Sequence, residues 1–279
     1  MITYEKCPCC DQNDITVILK TSFFKTNILQ CNNCFFKFND LSDKPKNFIS
    51  DFYKQSYWDG SLRKQNWIRQ LGRKILSKCR ARSHYLYLPK NIVSVLEIGA
   101  GLGISTNYFS KHDLIITVVE PDKSNVSKIK SKNKSVNTIS NIFDDVDIEE
   151  TFDLVYASHV FEHVVDINHF LNKVKSNTKN NGFIFLEVPN CTTLELTKRS
   201  CMEPHLSYFT RKSLELLVEK LDLKIISLDA YCFDLPKKLF PDSVKLFFSY
   251  AMKHEIFNKC EDDKYEDSLG LVFRIILKT

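Results

Sequence analysis

Two cysteine pairs near the start of the chain, Cys7-Pro8-Cys9-Cys10 and Cys31-Asn32-Asn33-Cys34, form the pattern CxxC-x20-CxxC. Two such knuckles joined by a hairpin can place four thiolates, from Cys7, Cys10, Cys31 and Cys34, tetrahedrally about one zinc ion. Four-sulfur ligation with no open position is structural rather than catalytic. Cys9 could substitute for Cys7 or Cys10. The alternative is a set of free or redox-active thiols, which would call for a thioredoxin-like βαβ setting. Cys79, Cys191, Cys201, Cys232 and Cys260 are scattered and read as small buried hydrophobes.

A second constellation could hold a nucleoside. Three of the seven glycines fall in Glu97-Ile-Gly99-Ala-Gly101-Leu-Gly103, after an apolar run and before a helical one. Such a turn lets another molecule approach the backbone closely. Seventeen residues beyond Gly103 the next apolar run ends in Glu120, whose carboxylate can accept both hydroxyls of a ribose. The two features together imply a nucleoside cofactor. The dinucleotide fingerprint would want a small residue where Ile104 stands, which disfavours a nicotinamide enzyme; a turn with no ligand is the remaining alternative.

A third group could move a proton. His159, Glu162 and His163 follow an apolar run at spacings i, i+3 and i+4. If a helical turn begins there, all three share one face at the carboxyl edge of a parallel sheet, where ligands bind. Histidine is suited to take a hydroxyl proton near neutral pH. His163 is the first candidate base and His205 the second; the alternative for His163 is a first-turn residue bonded to backbone. His84, His112, His169 and His254 have no constellation and read as surface or packing residues.

The elements that must position these groups follow from hydrophobic periodicity. Residues 1–45 carry the cysteines and two short strand-like runs, Val17–Lys20 and Thr26–Gln30. Residues 46–88 read as helical, with Trp67, Ile68, Leu71, Ile75, Leu76 and Cys79 at helical spacing, and Pro89 ends that region. From residue 89 to 279 strands and helices alternate: strands at Ile92–Ile98, Leu114–Glu120, Val136–Ser140, Phe152–Ser158 and Phe183–Val188, helices at Ile104–Lys111, Asp122–Lys132 and Ile167–Thr178. Thr210 is expected to cap a further helix, with late strands at Leu223–Leu228 and Leu271–Leu277. This order predicts an α/β fold with a doubly wound, mostly parallel sheet, preceded by a small zinc-binding module and a helical linker.

With 279 residues, 43% of them hydrophobic and 26% charged, the chain has ordinary globular composition. No apolar run approaches a membrane span and the N-terminus lacks the apolar core of a signal peptide, so a cytoplasmic location is expected. Net charge is +5, from 39 basic and 34 acidic residues. The positives concentrate between Arg63 and Arg82, with no acid among them. That stretch reads as a solvated face, or as a grip for phosphates of a nucleotide-linked substrate or RNA. Phe240, Val244, Phe247, Phe248 and Ala251 form an amphipathic segment expected to serve as a lid or as the helix of a homodimer, with a membrane-surface helix as the alternative.

The glycine pattern resembles motif I of the class I S-adenosylmethionine-dependent methyltransferases. Phe152–Val164, Phe183–Asn190 and His205–Thr210 are similar to later motifs of that family, so the likeness spans residues 90–279. The resemblance implies a Rossmann-like methyltransferase core in which the turn holds the methionine part of the cofactor and Glu120 the ribose. By position, Asn141 or Ile142 would lie near adenine and Ser158 near the methionine end. The grouping of His159, Glu162, His163 and His205 is similar to the Glu-x-x-Glu-His of metal-dependent methyltransferases and could hold a second, catalytic divalent ion.

The knuckle and the continuation Cys34-Phe-Phe-Lys-Phe-Asn39 resemble methyltransferases that act on sugars in surface-polysaccharide and natural-product pathways. The carbon methyltransferases of that group carry an additional C-terminal domain and an adjacent Glu-His before Leu-Ser-Tyr-Phe. This chain ends at the last expected core strand and has Glu203-Pro204-His205, which favours an oxygen or nitrogen acceptor. The expectation is methyl transfer to a hydroxyl of a small molecule, a phosphate-linked sugar. Residues 46–88, Tyr57 and Trp58 included, would cover the cofactor. The rival readings are a ribosomal RNA methyltransferase with a zinc finger, which the absence of an aromatic-interleaved basic surface disfavours, and a non-catalytic assembly subunit retaining the fold.

Overall fold

The computed structural model describes residues 5–45, 48–55, 67–233, 257–262 and 269–279. Tyr57, Trp58, Arg63, Lys64, His254 and the amphipathic segment around Phe240–Ala251 lie outside the described residues.

The described strands form two sheets. The larger is built from β4 (Ser94–Ile98), β5 (Ile115–Val119), β6 (Asn137–Ile139), β7 (Phe152–Ser158), β8 (Thr178–Pro189), β10 (Lys224–Phe233), β11 (Phe257–Cys260) and β12 (Leu269–Lys278). Their spatial order is β11-β10-β12-β8-β7-β4-β5-β6. The strands from β6 to β8 run parallel, and β12, β10 and β11 add antiparallel pairs at one side. The smaller sheet has the order β1-β2-β3-β9, with β1 at Ile15–Leu19, β2 at Ile28–Cys31, β3 at Lys37–Asn39 and β9 at Ser207–Tyr208.

The central strands are apolar on both faces because helices cover both. Successive residues alternate between faces. Val95, Leu154, Tyr156 and Phe185 pack with Phe109 of α3 (Ile104–Phe109) and Ile129 of α4 (Lys123–Lys132). Leu96, Val155, Ala157 and Ile184 face Phe170 and Val174 of α5 (Ile167–Ser176) and Leu217 of α7 (Arg211–Lys220). Helix starts follow local chemistry: Asp122, Asp166 and Thr210 cap α4, α5 and α7, and Thr210 with Ser213 forms a reciprocal capping box.

The linker region contains α1 (Phe48–Gln55) and α2 (Trp67–Tyr87). Four strands and helices were not anticipated from periodicity: the three-residue β3, the seven-residue α6 (Leu194–Ser200), the two-residue β9 and the four-residue β11, each too short to show a period. No helix among the described residues is long and apolar enough to cross a membrane.

Candidate functional site

A cavity of about 740 Å³ opens at the carboxyl ends of β4, β7 and β8, beside the point where chain order reverses between β5 and β7. It gathers five of the predicted site residues: Glu97, Gly99, Ser158, His163 and His205. Gly101, Gly103, Glu120 and Asn141 stand outside its lining.

The glycine turn has the backbone its sequence implies. Gly99, Gly101 and Gly103 all have left-handed φ, at 68°, 55° and 67°. At Gly103 a Cβ would sit 2.4 Å from Ile129 Cγ1, so helix packing forbids a side chain there. At Gly101 a Cβ would meet nothing within 4 Å, so the turn faces open space where a ligand can lie against its backbone. That exposed cradle fits a nucleoside cofactor.

Glu120 is buried at the end of β5, where its Oε2 accepts the Gly101 N–H at 2.8 Å and its Oε1 the Asp122 N–H at 3.0 Å. The two amides hold the carboxylate beside the glycine turn. Asn141 likewise serves the backbone, accepting the Ile142 N–H at 2.9 Å.

Glu97 is fully buried at the cavity floor, and burial pushes its carboxyl up to about 7, with Glu120 adding to the rise against a bond from Thr106 Oγ1 at 2.7 Å. The folded state therefore binds a proton more tightly than the unfolded chain, whose value is near 4.5. Stability contributed by that proton is lost as pH rises from about 4.5 to about 7, then stays level. Glu97→Gln should melt higher than the parent chain at pH 8 in the absence of cofactor, by the equivalent of about 3 kcal/mol, with the gap closing toward pH 4.5. Thermal melts at the two pH values check this; an equal gap at both would contradict it.

The acid–histidine group differs from the expected helical face. His159 adopts φ 55° and precedes a short 3-10 turn at Phe161–His163. His159 Nδ1 donates to Glu162 Oε1 at 3.0 Å, and its ring turns toward Glu187. Glu162, His163 and His205 are the residues that come together, each offering a ligand atom within 4.8 Å of the others. Glu162 is fully buried. Burial would raise its carboxyl, but the His159 bond and the surrounding His163 and His205 rings outweigh that and hold it down to about 2. Its Oε2 has no hydrogen-bond partner.

The two candidate bases separate on environment. His163 Nδ1 donates to the Pro204 carbonyl at 2.9 Å, which puts the lone pair on Nε2. That bond is the backbone contact anticipated as the alternative for His163, and it also sets the tautomer a base requires. His205 is buried and burial pushes it down to about 3, so it is neutral at physiological pH. Its Nδ1 bonds Ser200 Oγ at 2.7 Å, and Nε2 lies 3.4 Å from Glu203 Oε2 and 3.9 Å from Glu162 Oε1.

Sequence reasoning missed a buried ionic network beneath the cavity. His84, expected as a surface or packing residue, is fully buried; its Nε2 donates to Glu187 Oε2 at 2.7 Å and its Nδ1 accepts from Tyr156 Oη at 2.6 Å. Burial pushes His84 down to about 4, consistent with that neutral tautomer. Arg274 Nε donates to the same Glu187 oxygen at 2.8 Å, and Ser158 Oγ donates to the other at 3.0 Å. Burial opposes ionisation of Glu187, yet His84, Arg274 and Arg80 hold it well below the usual carboxylate range. Through Arg80 and His84, α2 is tied to the sheet where the cavity begins, so part of the basic stretch is structural.

The cysteines form a compact cluster. Cys7 Sγ lies 3.6 Å from Cys34 Sγ and Cys10 Sγ 3.5 Å from Cys31 Sγ, with all four sulfurs within 4.8 Å. Four sulfurs at about 2.3 Å from one zinc ion would be spaced by roughly 3.8 Å, so the cluster fits such an ion. Cys9 lies against the cluster, its sulfur beside those of Cys7 and Cys34, and it also donates to the Ser213 carbonyl at 3.2 Å.

Comparison with known proteins agrees with this geometry. The model of the methyltransferase domain family matches residues 63–228, more than half of the chain. The chain belongs to that family. Relatives include the ubiquinone biosynthesis O-methyltransferases of Bradyrhizobium diazoefficiens, 30% identical over 100 residues (34% of this chain, 40% of the relative), and Nitrobacter winogradskyi, 29% identical over 94 residues (32% and 36%). The chain thus matches well under half the length of these relatives. A SAM-dependent methyltransferase from Archaeoglobus fulgidus superposes with a TM-score of 0.54 at 18% identity, covering 74% of this chain and 94% of its own. Coclaurine N-methyltransferase, bound to N-methylheliamine and S-adenosylhomocysteine, gives 0.51 at 12% identity, covering 74% and 72%. The doubly wound core is therefore the fold of the S-adenosylmethionine-dependent methyltransferases.

Proposed function

We propose that this methyltransferase-family protein transfers a methyl group from S-adenosylmethionine to a hydroxyl of a small polar acceptor. The observation that carries the reading is the shared cavity, with the Gly99 end of the glycine turn and Glu97 in its wall and the Glu162–His163–His205 group beside them. Bound S-adenosylmethionine supplies an electrophilic sulfonium methyl. Glu97 and the backbone around Gly99, Gly101 and Gly103 hold its methionine part, with Ser158 near that end. Glu120 takes the ribose hydroxyls in exchange for its present amide bonds, and Asn141 lies by the adenine. His163 Nε2 removes the acceptor proton, and ionised Glu162 stabilises the imidazolium that results. Neutral His205 hydrogen-bonds and orients the acceptor, since alignment supplies much of the rate in an in-line displacement.

For the acceptor we favour a phosphate-linked sugar. Arg80 and Arg199 line the same cavity and suit a phosphate group, and the cysteine module resembles that of sugar methyltransferases. The relatives named O-methyltransferases support oxygen as the target atom. Cys7, Cys10, Cys31 and Cys34 hold a structural zinc ion in a module of residues 1–45, residues 46–88 cover the cofactor, and 89–279 form the core.

A second reading of the same group is favoured by the unpartnered, buried Oε2 of Glu162. One carboxylate and two imidazoles within 4.8 Å suit a divalent cation that would polarise the acceptor oxygen. Transfer of isotope-labelled methyl to nucleotide sugars, free sugars, phenols and ribosomal RNA, with and without chelator, tests both readings. Labelling of nucleotide sugars that survives chelation supports the base mechanism. Labelling abolished by chelator under conditions that leave the zinc content unchanged, and restored by magnesium or manganese, supports the metal, and preference for phenols or RNA would overturn the sugar assignment.

A further inference from the structure

We infer that Asn39, in the cysteine-bearing module, is a positioning residue for the acceptor site, and that the module is built into that site through it. The inference rests on the role given above to His205. Asn39 ends β3, which pairs on one side with β2 (Ile28 opposite Asn39) and on the other with β9 (Lys37 opposite Tyr208). The small sheet therefore takes its fourth strand from the segment that immediately follows His205.

The bonds converge on one peptide. Asn39 Nδ2 donates to the His205 carbonyl at 2.6 Å and to Tyr208 Oη at 2.9 Å, and Tyr208 Oη donates to that same carbonyl at 3.0 Å. The Asn39 backbone N–H donates to the Leu206 carbonyl at 2.9 Å. Asn39 Oδ1 accepts from Thr26 Oγ1 at 2.8 Å, which fixes the orientation of the carboxamide. From the opposite side, the Leu206 N–H donates to the Glu162 carbonyl at 2.7 Å. The His205–Leu206 peptide is thus clamped between the module and the turn that carries Glu162 and His163. All of Asn39, Tyr208 and His205 are buried, so water cannot replace a lost bond.

The clamp is continuous with the cysteine cluster. β2 ends in Cys31, the Cys31 N–H donates to the Phe36 carbonyl at 3.0 Å, and Phe36 packs on Phe209, whose ring stacks on Phe161 at 4.7 Å. Whatever orders the four thiols therefore orders the strand that holds His205. This accounts for a closed, non-catalytic metal-binding pattern being joined to a catalytic-type core: it braces from behind the peptide that carries His205 into the cavity wall.

The test uses the full-length chain with Asn39→Asp, which keeps shape but sets a carboxylate against the His205 carbonyl, and Tyr208→Phe, which removes one hydroxyl at nearly constant volume. Asn39→Asp should lower kcat by at least about tenfold, with Tyr208→Phe less affected and S-adenosylhomocysteine affinity within about twofold of the parent in both. Amide hydrogen exchange at residues 205–209 should accelerate by about tenfold or more in Asn39→Asp while residues 95–103 exchange as in the parent. Unchanged exchange at 205–209, or equal acceleration across the whole chain, would overturn the inference. His205→Ala separates this from the site reading. If it leaves kcat intact, the role of His205 fails even where exchange changes as expected; if it cripples kcat while Asn39→Asp does not, the positioning role fails.

Discussion

His163→Ala should lower kcat for a hydroxyl acceptor by a factor of roughly 10²–10⁴ while leaving S-adenosylhomocysteine affinity within about twofold. The expectation follows from three features of one side chain. Its Nδ1 proton is committed to the Pro204 carbonyl, which places the lone pair on Nε2. The ionised Glu162 carboxylate stands beside it, opposite in charge to the imidazolium that forms during transfer. The competing base, His205, is pushed down to about 3 and is a poor proton acceptor at neutral pH. Single-turnover transfer of labelled methyl measures the chemical step directly. A variant retaining kcat within about threefold of the parent would show that the proton leaves by another route.

Cys31→Ser should abolish binding of the zinc ion proposed above and destabilise the whole chain, by several kcal/mol, because metal binding energy at a structural four-cysteine site is folding energy. The loss should spread beyond the module, since β3 and β9 share a sheet and the Asn168 side chain donates to the Pro8 carbonyl. Cys9→Ser is the internal control: Cys9 touches the Cys7 and Cys34 sulfurs but stands outside the four-sulfur set, and its bond to the Ser213 carbonyl is one a hydroxyl can also make, so its melting temperature should stay close to the parent's. Metal analysis and thermal melts on the two variants check the pair of expectations. About one zinc per parent chain, lost in Cys31→Ser and kept in Cys9→Ser, is the predicted pattern; equal metal content and melting in all three would remove zinc from the account.

How far the sequence could be read depended on the range of each interaction. The alternating core from β4 to β8 was legible because buried parallel strands and amphipathic helices each have a period, and Thr210 was legible as a cap because capping is local. The turn at His159 was misread because φ 55° on a histidine carries no local signal. The bonding of Glu120 was hidden because it depends on amides brought close only by the folded glycine turn. The ionic network had a usable sign: Glu187 and Arg274 are the single charges in the apolar runs 183–189 and 271–277, and they sit directly opposite each other in the β8–β12 register. A buried charge of this kind must have a partner, so the pair could have been anticipated. The pairing of β9 with β3 could not, because the two segments are about 170 residues apart and β9 spans only Ser207–Tyr208.

The most direct measurement is a crystal structure of the protein soaked with S-adenosylhomocysteine. The account predicts the ribose hydroxyls on Glu120, the amino-acid part along the Gly99–Gly101 backbone near Glu97 and Ser158, and the sulfur facing Glu162, His163 and His205. Density for the nucleoside in any other place, or none at millimolar excess, would contradict it.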